Sequence, residues 1–355
     1  MDQAKLFTDR AFIFQSKENN IQADRSIIDS VFSTLPQALN VDKVELVDSF
    51  IDFDVYKVFS KDKIYLIKLS FVDKSEILER EAEALQLVSN KVTPSLIHSG
   101  RIIIGEPISY LIQSYENGYG VDDFGRYFVG ENIESLNYSL KKLVDNPAPS
   151  KSIRDNIDNV LSSLNVREFF YDDAIEAIKV NLDLNKIDEF IQDLSSELTN
   201  IYDTSVLDRD YFCHGSLLLQ NIIFRDGYFK FVNLDRSFKG HYFLDYSQLL
   251  LDFGLDKNVK LKFAEMYCKS SGFEYDADEY KLCEKVNILI VLASILRDYL
   301  VEIYMFDSSR PLKICKIVAL FGQYFDQFSR FKFFDKYKTF LTKTITNPVT
   351  GVEKV

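Results

Sequence analysis

The chain has 355 residues, of which 46% are hydrophobic, including 30 phenylalanines and 20 tyrosines, and this is ample material for two lobes with packed cores. Its 54 acidic residues outnumber its 42 basic residues, so the formal net charge is −12. Such a surface repels nucleic-acid phosphates and anionic membranes, and we therefore expect neither nucleic acid nor membrane as a partner.

Cysteine usage and hydropathy indicate the compartment. Four cysteines lie far apart without a CxxC pair, and three histidines add little capacity for a structural zinc site. Scattered cysteines are typical of buried thiols in a reducing compartment. The N-terminal segment lacks the apolar core of a signal peptide, and the most apolar stretch, residues 286–296, is too short to span a bilayer. These features predict a cytoplasmic protein.

The first third of the chain predicts strands around one helix. A helical pattern over residues 24–35 precedes three runs rich in β-branched and aromatic residues, VDKVELVDSFID, DVYKVFSK and KIYLIKLSF, which predict a meander of strands. A helix is expected over residues 74–90. Two further strands are predicted near residues 101–104 and 109–114, before the segment YENGYG.

The rest of the chain is predominantly helical, with one hairpin. NIIF and YFKFVNL flank the turn Arg225-Asp226-Gly227, which predicts a β-hairpin. Helical patterns dominate after Gly118, with a proline-containing loop at residues 145–152, and continue from residue 256 to about residue 345. The architecture is therefore α+β with two lobes. We expect an N-terminal extension with a helix at residues 1–40, a lobe of strands and one helix at residues 41–117, a helical lobe at residues 118–345, and a tail at residues 346–355.

A lysine and a glutamate are placed to pair within the smaller lobe. Lys68 shares one face of its predicted strand with Ile64 and Leu66, so it points inward. Glu81 lies near the middle of the apolar face of the following helix, where a lone carboxylate is costly to bury and needs a cationic partner. A strand lysine paired with a helix glutamate positions nucleotide phosphates in kinases. The alternative is two half-exposed charges at an edge of the lobe.

A second polar group surrounds the hairpin. The segment FCHGSLLLQNIIF contains His214, Gly215 and Asn221, and the hairpin then brings Asn233, in FVNLDRS, opposite Asn221. This pattern resembles the aminoglycoside-phosphotransferase and choline-kinase family, in which His-Gly-Asp, four residues and Asn precede a metal-binding Asp. Ser216 stands at the first aspartate position of that family pattern, and Asn233 stands at the second.

The resemblance extends over about residues 41–345 and implies a protein-kinase-like fold. The segments follow the family's order, including VTPSLIHSG as the linker, YENG as the hinge and GHYFLDYSQLL after the hairpin. By this resemblance Asp245 braces the catalytic loop, and His214 bonds to the backbone. It also places Lys68 and Glu81 at the nucleotide. It further places Asn221, Asn233 and Asp235 at the family's metal-binding positions.

Three departures from the family pattern argue against ordinary phosphoryl transfer. Ser216 cannot act as a general base near pH 7, and losing a positioned base typically costs ~10²–10⁴ in rate. Asn233 retains an oxygen ligand without the negative charge that a hard cation prefers. No glycine precedes Gly100, so a glycine-rich phosphate loop is missing. The corresponding segment instead contains three acids that would repel ATP: Asp48, Asp52 and Asp54.

These departures predict a catalytically degenerate, pseudokinase-like protein that acts as a binding or structural module. We expect no cofactor, and an unknown protein or a small molecule as the partner. One alternative is an active kinase that uses ATP and Mg²⁺ to phosphorylate a hydroxyl group, with Asp235 and Asn221 at the metal. Another is a nucleotide-binding switch without turnover, built on Lys68 and Glu81. Four acids would attract a cationic acceptor in the kinase, or else form a solvated face or helix start: Glu274, Asp276, Asp278 and Glu279.

Overall fold

A computed structural model describes residues 17–35, 39–49, 53–61, 63–70, 75–121, 130–162, 164, 183–202, 206–304 and 310–346. The chain divides into two compact units. The first, called the sheet unit here, comprises Ser16–Ile153 and Asp208–Tyr280. The second, the helical unit, comprises Met1–Gln15, Arg154–Leu207 and Lys281–Val355. The lobe boundaries expected from the sequence stay a prediction.

Strands and helices are numbered in chain order over the described residues. The strands are β1 Lys43–Ser49, β2 Asp54–Ser60, β3 Lys63–Ser70, β4 Leu96–Ile104, β5 Glu106–Ser114, β6 Tyr119–Gly120, β7 Tyr211–Cys213, β8 Ile222–Arg225, β9 Tyr228–Phe231 and β10 Phe238–Gly240. The α-helices are α1 Lys17–Ser33, α2 Ser75–Leu87, α3 Ile133–Val144, α4 Ile153–Ser162, α5 Leu184–Tyr202, α6 Phe243–Asp252, α7 Lys257–Ser271, α8 Ala277–Tyr304, α9 Arg310–Phe328 and α10 Lys332–Thr346. Short 3₁₀ helices lie at Leu219–Asn221 and Leu234–Arg236.

The sheet unit contains a five-stranded antiparallel sheet with strand order β1-β2-β3-β5-β4. Alternation along the strands sends every second side chain to one face, where α1 closes a core. Ile28, Val31 and Phe32 of α1 are fully buried there, together with strand residues such as Val58 and Ile67. The neighbouring residue Lys68 therefore belongs to the opposite face, against which α2 packs.

Several predicted boundaries are wrong. The first helix begins at Lys17 rather than at residue 24. The last two strands of the sheet begin at Leu96 and Glu106, earlier than predicted, and β4 takes in part of the expected linker. β4 begins early because Leu96 pairs with Gln113, and β5 begins early because a tight connection at Gly105, with φ of +72°, lets Ile104 pair directly with Glu106. Composition alone does not reveal this pairing.

The predicted hairpin is confirmed as β8 and β9, and β6 adds a third strand beside β8. Both turn residues have positive φ, 52° at Asp226 and 83° at Gly227, as a two-residue hairpin turn of the primed type requires. A separate pair, β7 with β10, joins Cys213 to Phe238. One 3₁₀ helix lies between β7 and β8 and the other lies between β9 and β10, and these two short helices carry Asn221 and Asp235 of the candidate site.

The helical unit has its own aromatic core. Phe190 of α5 meets Tyr337 of α10 edge-on at 5.2 Å between ring centroids, and the Tyr337 hydroxyl donates to Asp193 at 2.7 Å. The apolar residues 286–296 lie within α8. Among the helices that the structure describes, none combines the length and apolar character needed to cross a membrane.

Candidate active site

Lys68 and Glu81 form a buried ion pair inside the sheet unit. The Lys68 Nζ lies 2.9 Å from Oε1 and 2.7 Å from Oε2 of Glu81, and both side chains are 0% exposed. This is the pairing expected from the inward faces of β3 and α2, and the half-exposed alternative is wrong. Burial raises the pKa of the Glu81 carboxyl, while the Lys68 ammonium opposes that rise and the charge of Asp235 adds to it.

The Lys68 ammonium has two further neighbours. Asn233 Oδ1 accepts its third hydrogen bond at 3.1 Å. The ring of Phe53, a residue just before β2, lies over Nζ with 4.9 Å between Nζ and the ring centroid. An ammonium has three hydrogens to donate, and Glu81 and Asn233 together supply three acceptor atoms.

Asn233 begins a chain of amide hydrogen bonds. It takes the left-handed conformation (φ 63°, ψ 62°), which asparagine tolerates better than most residues, and it opens the second 3₁₀ helix. Its Nδ2 donates to Asn221 Oδ1 at 2.8 Å. Asn221 Nδ2 in turn donates to the Ser216 backbone oxygen at 2.8 Å, and lies 3.4 Å from Ser216 Oγ. The structure thus brings Lys68, Asn233, Asn221 and Ser216 into one continuous hydrogen-bonded chain.

Asp245, in the first turn of α6, holds the loop that carries Ser216. Its carboxylate accepts from the backbone N–H of His214 at 2.5 Å and of Gly215 at 3.0 Å. Gly215 has φ +77°, and a Cβ there would lie 2.0 Å from the Arg236 carbonyl oxygen. The His214-Gly215 sequence therefore reflects backbone geometry, because a side chain at position 215 would collide with the neighbouring 3₁₀ helix.

His214 is a buried, neutral residue that bonds to the backbone. Its Nε2 lies 2.9 Å from the Val232 carbonyl oxygen, and its Nδ1 accepts from the Ser216 N–H at 3.3 Å, so the ring hydrogen belongs on Nε2. Burial lowers the pKa of His214 from 6.5 to about 4. Burial also raises the pKa of Asp245 from 3.8 to about 6, against the lowering effect of its two backbone donors. His214 thus has a structural rather than an acid–base environment.

Two further residues of α6 brace the same loop, and the sequence reasoning missed both. Gln248 Oε1 accepts from the Leu217 N–H at 2.6 Å, and Asp252 Oδ2 accepts from the Leu219 N–H at 2.9 Å. Together with Asp245 they place an acceptor on successive turns of one helix face. The available signal was the spacing of Asp245, Gln248 and Asp252, three and four residues apart, which puts them on one face of a helix in the segment FLDYSQLLLD.

The segment at the phosphate-loop position lies between β1 and β2. Asp48 is exposed at a β-bulge of β1, and Asp54 is half-buried at the start of β2. Asp52 lies outside the described residues. Asp48 and Asp54 occupy the two strand ends that flank this segment, so the negative charge expected from the sequence is present there.

The acids at the start of α8 belong mainly to a helix start. Asp276 Oδ1 accepts from the N–H groups of Asp278 at 2.7 Å and of Glu279 at 3.1 Å, which caps the helix. Glu279 Oε2 lies 3.1 Å from Nε2 of the buried His241, and its Oε1 lies 3.4 Å from Arg209. Burial lowers the pKa of His241, and the Glu279 carboxylate opposes this shift.

A five-stranded sheet, a helix that supplies a glutamate to a strand lysine, and a hairpin beside a His-Gly loop together define the kinase-like phosphotransferase fold. The chain is similar to an aminoglycoside phosphotransferase of Streptomyces rimosus solved with ADP and streptomycin, at a TM-score of 0.52 and 17% identity, covering 70% of this chain and 92% of that one. It is also similar to the choline kinase of Streptococcus pneumoniae (TM-score 0.51, 13% identity, covering 85% of this chain and 100% of that one).

An ethanolamine kinase of Plasmodium vivax gives a TM-score of 0.51 and 16% identity, over 81% of this chain and 84% of that one. These likenesses confirm the predicted α+β kinase-like fold and, at the level of fold, the resemblance to aminoglycoside and choline kinases. No protein-family model matches the sequence, and no curated protein matches it.

Proposed function

We propose that this chain is a phosphotransferase-fold protein that does not carry out ordinary phosphoryl transfer and acts as a binding or structural module. The observation that supports this most strongly is the hydrogen-bonded chain from Lys68 through Asn233 and Asn221 to Ser216. Each amide in it donates to one neighbour and accepts from another. The groups at the family's catalytic and metal positions therefore stabilise one another.

The residues present do not fit a magnesium site. Mg²⁺ demands oxygen ligands in near-octahedral geometry and is usually held through carboxylates. Asn233 Oδ1 already accepts from Lys68, and Asn221 Oδ1 already accepts from Asn233. Within the described part of the chain, no group of three or more His, Cys, Asp or Glu residues could hold a metal ion. Of the three residues at the predicted metal positions, Asp235 is the one with a charged side chain. A single carboxylate is poorly suited to hold Mg²⁺ and ATP together.

Ser216 gives no substitute for the missing base. Within the part of the chain that the structure describes, its hydroxyl has no acidic or basic hydrogen-bond partner, since Asn221 Nδ2 is a donor at 3.4 Å and the Ser216 N–H donates to His214. The pKa of His214 is about 4, and its Nδ1 is engaged by that same N–H. Proton abstraction from an acceptor hydroxyl therefore has no suitable group at this position.

The intact Lys68–Glu81 pair favours one alternative, nucleotide binding without turnover. In kinases this pair contacts nucleotide phosphates, and here its geometry is retained at 2.7 Å. A switch of this kind would bind ATP or ADP and change the stability of the sheet unit, with no release of phosphate. For the module itself we still expect an unknown protein or a small molecule as the partner.

Turnover assays test the proposal. We expect no ATP consumption by the wild-type protein with Mg²⁺ and a panel of hydroxylated acceptors, cationic ones included, under conditions where an active choline kinase gives a clear rate. We also expect none from the variant Ser216→Asp/Asn233→Asp, because the acidic segment around Asp48 and Asp54 and the covered Lys68 remain. Robust turnover by the wild type would overturn the proposal. Turnover by the double variant alone would show that these two substitutions suffice to block catalysis.

A further inference from the structure

Phe53 occupies an unusual place beside the candidate site. It lies between the acidic phosphate-loop segment and β2, and its side chain is only 8% exposed despite this position at the end of a connection. Its ring centroid lies 4.9 Å from Lys68 Nζ, within the range of a cation–π contact. An aromatic ring in such a connection would ordinarily cover the hydrophobic core rather than a charged group.

The ring completes the enclosure of the ammonium. Glu81 takes two of the Lys68 donors and Asn233 takes the third, at 2.9, 2.7 and 3.1 Å. The Lys68 side chain is 0% exposed. A phosphate oxygen must approach an ammonium nitrogen to about 2.8 Å, the length of a charge-assisted hydrogen bond. A ring stacked over Nζ denies that approach on the side it covers.

We propose that Phe53 is a specificity-determining residue that closes the Lys68 ammonium to phosphate-bearing ligands. A glycine-rich loop lets backbone N–H groups come close to phosphate, whereas here an aromatic side chain fills the space next to the lysine. The ring also offers the ammonium its negative face, which partly replaces the charge that a phosphate would supply. This inference rests on the proposed function, because it explains how an intact lysine–glutamate pair persists without binding ATP.

Phe59, a residue of β2, provides a matched control. It is a half-buried phenylalanine of β2 that also lies next to ammonium groups, 5.1 Å from Lys57 Nζ and 5.5 Å from Lys43 Nζ. In the register of the sheet Phe59 pairs with Ile64, whereas Lys68 pairs with Val55 near the other end of β2. Phe59→Ala therefore removes a comparable cation–π contact without uncovering the candidate site.

The test is calorimetric titration of the full chain with inorganic pyrophosphate, without metal. We expect no detectable heat of binding from the wild type or from Phe59→Ala. Phe53→Ala should bind pyrophosphate saturably, with a dissociation constant at least about tenfold below the weakest binding detectable for the wild type, which corresponds to about 1.4 kcal/mol. Adding Lys68→Met to Phe53→Ala should abolish that binding, because the ammonium is the proposed ligand.

Phe53→Leu, which keeps most of the buried apolar volume, is titrated in the same way so that a folding failure of the alanine variant does not decide the matter. Circular dichroism establishes which variants are folded. Absence of binding by a folded Phe53→Ala protein, or by Phe53→Leu if the alanine variant does not fold, would overturn the inference and leave the proposed function intact. Pyrophosphate binding by the wild type would also overturn it. ATP turnover by the wild type would instead refute the proposed function itself.

Discussion

Removing Glu81 should destabilise the sheet unit strongly. Glu81→Met removes two of the three acceptor atoms around the Lys68 ammonium, which is 0% exposed, and leaves Asn233 Oδ1 at 3.1 Å. Breaking a buried ion pair by deleting one partner costs about 3–5 kcal/mol, because the other charge stays buried without compensation. We expect a value of about 4 kcal/mol, since the amide oxygen and the Phe53 ring compensate the charge only in part.

The reciprocal variant and the double variant separate the pair from its parts. Lys68→Met should cost less, because burial already raises the pKa of Glu81 and the carboxyl can take up a proton. In that variant the folded state binds the proton at a higher pH than the unfolded state does, so stability increases as pH falls toward 4.5, the ordinary pKa. The double variant Lys68→Met/Glu81→Met should lie near the wild type or above it, because apolar replacements of buried pairs are often neutral or stabilising.

Urea unfolding at pH 7 measures these free energies, and hydrogen exchange of peptides from β3 and α2 localises the change to the sheet unit. Glu45→Gln is the control, because Glu45 pairs with Lys43 at 2.5 Å while the two side chains are 41% and 64% exposed. That variant should leave the free energy of unfolding close to that of the wild type, because exposed ion pairs contribute little to stability. A cost below about 1 kcal/mol for Glu81→Met, comparable to the control, would refute the reasoning, because it would mean that the pair is solvated.

Two further predictions concern the loop around His214. Gly215→Ala should destabilise the protein by several kcal/mol, because the new Cβ would lie 2.0 Å from the Arg236 carbonyl oxygen. Gly227→Ala, at a similar positive φ but with open space around the Cβ, should cost only about 1 kcal/mol. Urea unfolding compares the two variants, and equal costs would contradict the role of the clash. The pKa of His214 is about 4 in the folded protein against an ordinary 6.5, so the unfolded state binds the proton first and about 3 kcal/mol of stability is lost as pH falls from 6.5 to 4. The pKa of Asp245 is about 6 against an ordinary 3.8, so the folded state binds the proton first and about 3 kcal/mol of stability is gained as pH falls from 6 to 3.8. The wild type should therefore change little in stability between pH 6 and 4, whereas Asp245→Asn should lose stability steeply there; parallel profiles for the two proteins would contradict these shifts.

Sequence patterns were sufficient for the parts of the fold that depend on periodicity. Alternation along KIYLIKLSF places Lys68 on the face opposite to Ile67, and the position of Glu81 on the apolar face of α2 then leaves the lysine as its natural partner. The turn Asp226-Gly227 needs positive φ at both residues, which asparagine, aspartate and glycine favour, so the hairpin was also predictable.

Other features depend on contacts that no local pattern encodes. The role of Asp245 as an acceptor for the His214 and Gly215 N–H groups came from the family resemblance, since an acid in the first turn of a helix is equally typical of a cap. Phe53 could not be singled out among 30 phenylalanines, because its contact with Lys68 is a tertiary contact that no local pattern encodes. The early start of β4 at Leu96 depends on its pairing with Gln113.

The most direct test of the central claim is calorimetric titration of the wild-type protein with ATP, in the presence and in the absence of Mg²⁺. The hydrogen-bonded chain from Lys68 to Ser216 and the ring of Phe53 predict no magnesium-dependent binding. Micromolar binding that requires Mg²⁺ would contradict the account and would favour an active kinase, with acceptor screening as the next step.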